Sequence, residues 1–359
     1  MRAIAVLAVM LFHSPWAGRR LEGGFLGVDV FFALSGFLIT SLLLEEHDTT
    51  GRISFRRFYM RRALRLLPAL APVVLVAGGA MIASDPSWRT IGFVASVAFY
   101  TANWAIVYGL PHGLLGHAWS LAIEEQFYIL WPPLLVVLLR IIRRRGVLLG
   151  LVMAAVALSV VYRFTLLESP SGMARIYVGA DAHADPLLIG CALAIFCHVS
   201  WLRRSLTAHR VTNAVGVIGG VVLLGLFIGA RYPDHYVHAS ASTWAAIATA
   251  CVIVAAFEPT SWCAHTLRCP PLSWIGKRSY TLYLWHLPVF IIAGPIWRPG
   301  VGLGRIVLAW GVTVALAAAS FCYLEKPALR FKATLAPSRL EPSRRSIARH
   351  PTLPPQLGR

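Results

Sequence analysis

An arginine and a histidine, Arg2 and His13, bracket the apolar run RAIAVLAVMLFH at the start of the chain. Eleven residues is close to three helical turns, so both side chains fall on one face, about 16 Å apart along the axis. A guanidinium is a phosphate-binding fork, and an imidazole accepts a proton near neutral pH. The pair describes an elongated ligand with an anionic end and a reactive end. An arginine opening an apolar helix is also a plain membrane anchor. A denser basic stretch, FRRFYMRRALRLLP (Phe55–Pro68), sets Arg62 and Arg65 three residues apart, neighbours on a helix face. Two forks on one face suit phosphates; an interfacial helix resting on anionic lipid is the other reading.

Ionisable groups inside apolar runs are costly and default to functional candidates. Here they are His13, Asp29, Glu124, Glu125, Asp185 and His286. By their distance from the ends of their runs, His13, Asp29, Glu124 and Glu125 all lie within about 8 Å of the same membrane boundary. One shared polar cavity is expected there, with separate interfacial groups as the alternative. His13 is the expected general base, with Glu125 or Asp29 orienting its ring as the third member of a triad does. Glu124 and Glu125 point about 100° apart on a helix, so one of them faces His13. His286, near mid-membrane, either bonds a neighbouring helix or lines a channel. Asp181 and Asp185, four residues apart, either grip a polar ligand or cap a helix.

These residues need a scaffold, and the composition says which. Hydrophobic residues make up 57% of the 359 and charged residues 13%, with a mean hydropathy of +0.67. Soluble domains carry about 25% charged residues, so this chain lacks the polar side chains to cover a soluble surface. Disorder of the main body, a secreted disulfide scaffold and a repeat solenoid are excluded; a multi-pass membrane protein remains. Lys and Arg total 33 against 15 Asp and Glu, a formal charge of +18. These charges fall between apolar runs, so they mean orientation and anionic lipid rather than nucleic acid. The six cysteines show no paired spacing and read as small hydrophobes, with no metal site.

Apolar runs at 3–16, 25–44, 67–83, 91–108, 120–139, 147–164, 184–199, 212–230, 241–257, 279–297 and 304–323 predict an all-α bundle. If every run crossed, Arg140, Arg143, Arg144 and Arg145 would fall outside, against the positive-inside tendency. Run 91–108, interrupted by Tyr100, Thr101 and Asn103, is therefore expected to dip in and return, or lie flat, on the outer side. That leaves about ten spanning helices, with both termini cytoplasmic and most Lys and Arg inside. Irregular backbone at membrane depth is tolerated where it lines a cavity, so an outward pocket is expected beside it. Residues 1–327 form the membrane domain, and 328–359, basic and Pro-rich, read as a disordered cytoplasmic tail.

Several strings resemble, in order, those of the integral-membrane acyltransferase family 3. They are RAIAVLAVMLFH, GGFLGVDVFFALSGFLIT (Gly23–Thr40), FYMRRALRLLPAL (Phe58–Leu70), HAWSLAIEEQFYILWP (His117–Pro132), IYVGADAHADPLLIGCALA (Ile176–Ala194), SYTLYLWHLPV (Ser279–Val289) and YLEKP (Tyr323–Pro327). The resemblance implies a bacterial inner-membrane enzyme that moves an acyl group, often acetyl, from acyl-CoA to a carbohydrate hydroxyl. The family's Arg and His separated by ten residues match Arg2 and His13, and its Arg-x-x-Arg matches Arg62 and Arg65. Its SGF turn matches Ser35-Gly36-Phe37, which sets Ser35 with the donor-binding residues. Its acidic WSL element matches Trp119 to Glu124 and Glu125. There are departures: the residues that usually precede the first Arg are absent, and Ala180 and His183 stand where Thr and Arg are usual.

Together these readings give acyl-CoA as cosubstrate, with no tightly bound cofactor. Arg2, Arg62, Arg65 and Ser35 would hold the donor, and His13 with Glu125 or Asp29 would carry the chemistry. Trp119, Glu124, Asp181, Asp185 and His286 would face the acceptor. A transporter or flippase of a glycan or small polar solute remains the competing reading, since ionisable groups within a helical bundle fit it equally.

Overall fold

A computed structural model describes residues 1–14, 21–169, 172–199, 209–231, 235–258, 261–294 and 303–334. Lipid offers backbone amides no water, so each segment must satisfy its own hydrogen bonds. The described residues are helical accordingly, with no strand among them. In chain order the α-helices are α1 (Arg2–Phe12), α2 (Gly27–Thr50), α3 (Phe55–Val73), α4 (Gly79–Ser84), α5 (Trp88–Ala98) and α6 (Ala102–Val107). There follow α7 (Ala118–Ile141), α8 (Arg145–Thr165), α9 (Gly172–Val178), α10 (Asp185–His198), α11 (His209–Gly229) and α12 (His235–Ala256). The last are α13 (Trp262–Leu267), α14 (Pro270–Lys277), α15 (Ser279–Ile292), α16 (Leu303–Ser320) and α17 (Lys326–Thr334).

Seven helical segments are long and apolar enough to cross a membrane, and α1, α10 and α15 are shorter apolar helices. The all-α membrane bundle expected from composition is the fold observed. Pro68 and Pro72 remove two backbone donors from α3, and the helix passes through a π turn at Val74–Gly78 into α4. Of the tail expected to be disordered from 328, α17 carries the chain as a helix to Thr334; residues 335–359 lie outside the described residues.

The interrupted run 91–108 is broken where its polar residues stand. α5 stops at Ala98, Tyr100 adopts the left-handed φ of 56°, and α6 restarts at Ala102. The Gln126 amide of α7 stitches this break, donating to the Tyr100 carbonyl and to Asn103 Oδ1, both at 2.9 Å.

Close helix approach fixes the rest. α2 and α10 cross at Gly36 and Gly190, where a Cβ would collide with the carbonyl of Leu187 or of Ala33. Small residues at crossings are how helices pack tightly without a hydrophobic drive. Behind α10, the fully buried Arg163 of α8 pairs with Asp185, whose other oxygen accepts from Thr243 Oγ1 of α12 at 2.6 Å. One buried charge pair thus ties α8, α10 and α12 together.

Candidate functional site

Five helices line a pocket. α1 brings Arg2, α2 brings Ser35, α3 brings Arg62 and Arg65, α7 brings Ser120 and Glu124, and α15 brings Tyr280 and Tyr283. α1 can lie this close because Gly27 at the start of α2 leaves room for the Ala5 carbonyl. Glu124 accepts hydrogen bonds from the Ser35 hydroxyl and the Tyr128 hydroxyl, and the Arg62 guanidinium lies 3.6 Å over the Tyr128 ring. Three guanidinium groups outnumber the clamped Glu124 and its neighbour Glu125, so this end favours an anion.

The opposite end of α1 carries different chemistry. His13 caps the helix, its Nδ1 donating to the Val9 carbonyl at 2.9 Å. Its ring lies 5.1 Å from that of His286, which in turn lies 5.2 Å from that of His117. His286 Nε2 is 3.4 Å from His13 Nδ1. Carbonyl oxygens only accept, so each one bonded to an imidazole fixes which nitrogen holds the proton. His286 carries it on Nδ1, facing the Tyr283 carbonyl at 2.5 Å, and His117 on Nε2, facing the Leu284 carbonyl at 3.1 Å. The latter bond has a cause in the sequence. Pro288 lies within α15 and has no N–H, so the carbonyl four residues back, Leu284, lacks its usual helical donor. His117 supplies one.

Tyr283 joins the two ends. Its hydroxyl lies 2.6 Å from Ser120 Oγ and donates to the His117 carbonyl at 3.0 Å. Its ring, 5.3 Å from those of both His117 and His286, separates the pocket from the histidines. α1 runs from arginine to histidine. α7 runs the other way, from His117 to Glu124, and α15 runs from Tyr280 to His286. The rise between the named residues is about 16 Å along α1 and about 10 Å along α7 and α15, so all three helices keep the two ends apart.

The acidic residues do not form the shared cavity expected around His13. Asp29 is 2% exposed and bonds His183, Oδ1 to Nε2 at 2.6 Å, so it orients His183 rather than His13. Glu124 stands in the arginine pocket, and Glu125 lies beside it in the field of Arg62 and Arg65. The reason is position along α7: both follow His117 by about two turns, and those turns lead toward the arginines. Asp185 is fully buried against Arg163 and Thr243, and Asp181 pairs with Arg175, whose Nε donates at 2.9 Å. Trp119 is buried, its ring 4.9 Å from Tyr177 and 5.8 Å from His183. Arg2, Arg62, Arg65, Ser35 and Glu124 do come together, as do His13 and His286.

His117, Tyr283 and Arg163 are absent from the sequence reading. His117 precedes the apolar run that begins at 120, and its position one turn before Ser120 and two before Glu124 was the available signal. Arg163 stands at the edge of run 147–164, where an arginine reads as a snorkelling anchor. Among the described residues, no group of three or more His, Cys, Asp or Glu is arranged to hold a metal ion.

A family profile described as "Acyltransferase domain" matches residues 1–324. The chain is similar to the Bacillus subtilis (strain 168) protein YrhL, named provisionally as a peptidoglycan O-acetyltransferase: 34% identical over 344 residues, 91% of this chain and 54% of that protein. It is 34% identical over 345 residues to the Staphylococcus aureus (strain COL) protein SACOL0978, named provisionally as an O-acetyltransferase, covering 91% of this chain and 56% of that protein. It is 33% identical over 345 residues to peptidoglycan O-acetyltransferase OatA of Listeria monocytogenes serovar 1/2a (strain ATCC BAA-679 / EGD-e), covering 91% and 54%. The chain thus spans about half the length of these relatives. No solved structure matches it.

Proposed function

Because this chain belongs to the integral-membrane acyltransferase family 3, we propose that it transfers a short acyl group, acetyl first among them, from acyl-CoA to a sugar hydroxyl of a glycan. The observation that carries the reading is one pocket with Arg2, Arg62 and Arg65 at its mouth and Tyr283 at its head, backed by three histidines. The arginines bind the donor's phosphates from the cytoplasmic side. The thin arm follows α1 past the Tyr283 ring, and the thioester arrives beside His13.

There His13 acts as general base. Its Nδ1–H is held by the Val9 carbonyl, so Nε2 is the nitrogen that accepts a proton. The acceptor O–H gives its proton to Nε2 as its oxygen attacks the thioester carbonyl carbon. The C–O bond forms, the C–S bond breaks, and the departing thiolate takes the proton back from the imidazolium. Products are the O-acyl sugar and free thiol, with no net change at His13. A general base of this kind contributes about 10²–10⁴ in rate.

The names of the relatives make peptidoglycan the first acceptor to test. A transporter of sugars has no use for three guanidinium groups around one pocket, which disfavours that alternative. The test is labelled acetyl-CoA supplied to membranes holding the protein, with peptidoglycan fragments as acceptor and mass spectrometry of the product. Label on sugar hydroxyls, lost in His13→Ala, is the expected result. Transport without label transfer, or full transfer by His13→Ala, overturns the reading.

A further inference from the structure

We propose that His286 is the positioning residue of His13, receiving the Nδ1 proton of His13 on its own Nε2 and standing where a Ser-His-Asp triad has its carboxylate. The inference deepens the reading of His13 as general base and rests on it.

A base that takes a proton at one ring nitrogen needs an acceptor at the other, to hold the ring and to share the charge that develops. Five carboxylates within the described helices are placed elsewhere. Asp29 is bonded to His183, Glu124 to Ser35 and Tyr128, Asp185 to Arg163 and Thr243, and Glu325 to Thr281. Glu125 lies in the field of Arg62 and Arg65, toward the arginines.

His286 meets the requirement. Its Nδ1–H is committed to the Tyr283 carbonyl at 2.5 Å, which leaves the lone pair on Nε2. That atom lies 3.4 Å from His13 Nδ1, so the His13 proton is shared between Val9 O at 2.9 Å and His286 Nε2. His286 is fully buried. Its ring is fixed on three further sides, 5.3 Å from Tyr283, 5.2 Å from His117 and 6.0 Å from Phe290. As His13 becomes an imidazolium, the same Nδ1–H bond strengthens as a charge-assisted one. A neutral acceptor does this without a buried anion that the bundle would have to compensate.

The test uses the full chain in membranes, with labelled acetyl-CoA and a peptidoglycan acceptor. His286→Phe keeps a buried ring but removes the acceptor; His286→Gln restores an acceptor oxygen. The phenylalanine variant is expected to lose about a hundredfold in kcat with the donor KM within twofold. The glutamine variant should recover at least about tenfold of that loss. In protein labelled with ¹⁵N-histidine, the Nδ1–H resonance of His13 should move in the phenylalanine variant and return toward its position in the glutamine variant. If phenylalanine is not inserted, His286→Leu is the acceptor-free variant. Wild-type kcat in an acceptor-free variant overturns the inference, as does equal loss in glutamine and phenylalanine. Full turnover in His13→Ala, measured alongside, would instead overturn the role of His13, so the two failures are told apart.

Discussion

The arginine pocket and the histidine cluster beyond Tyr283 are built by different means. At the arginine end, side chains hold side chains: Ser35 and Tyr128 clamp Glu124, and the Tyr128 ring supports Arg62. At the histidine end, the backbone does the holding: carbonyls of Val9, Tyr283 and Leu284 each fix one imidazole proton. Long guanidinium side chains adapt to a bulky anion, and their partners set charge more than geometry. A proton transfer needs a defined tautomer and ring angle, and helix carbonyls are the least movable acceptors available. The contrast predicts that substitutions at the first end act on affinity and those at the second on turnover.

The largest effect falls on the histidine end. His13→Ala should lower kcat by about 10³-fold while acetyl-CoA still raises the melting temperature of the solubilised protein. Loss of that thermal shift would mean the two ends are not separable. Next, Arg62→Ala or Arg65→Ala should each raise the donor KM roughly tenfold to a hundredfold, as loss of a charge-assisted hydrogen bond does, with kcat at saturation within a few-fold of wild type. A fall in kcat alone would contradict the division.

A smaller effect, with stability and activity moving in opposite directions, belongs to Pro288. Pro288→Ala returns the Leu284 carbonyl to its helix and takes it from His117. Thermal stability should rise by a few degrees and kcat fall roughly threefold to tenfold. The smallest effect on turnover is expected at Asp29. Asp29→Asn weakens the bond to His183 and should cost about 1–2 kcal/mol of stability, with kcat within about threefold. A kcat loss near that of His13→Ala would restore Asp29 to the triad.

Much of this is legible in the chain. Composition gives the membrane bundle, the polar interruption at Tyr100–Asn103 marks the broken helix, and the Arg2–His13 spacing describes two ends on one face. Arg62 and Arg65 are found because helical neighbours are fixed by local geometry. What the sequence hides is pairing across distance. Nothing local says that Asp29 meets His183, or that the histidines of α1, α7 and α15 converge, because those contacts join residues more than 150 positions apart. The expected meeting of Glu124 or Glu125 with His13 is not made, because about two helical turns of α7 carry both away from His117 toward the arginines. Pro288 was visible, but its effect is read only once His117 stands opposite the carbonyl it releases.

The length of α1 acts as a yardstick. Inserting a single residue between Arg2 and His13 would swing the imidazole by about 100° and push it about 1.5 Å farther out, off its neighbours entirely. Relatives that keep this chemistry should tolerate many substitutions along the helix and almost no change in its count of residues.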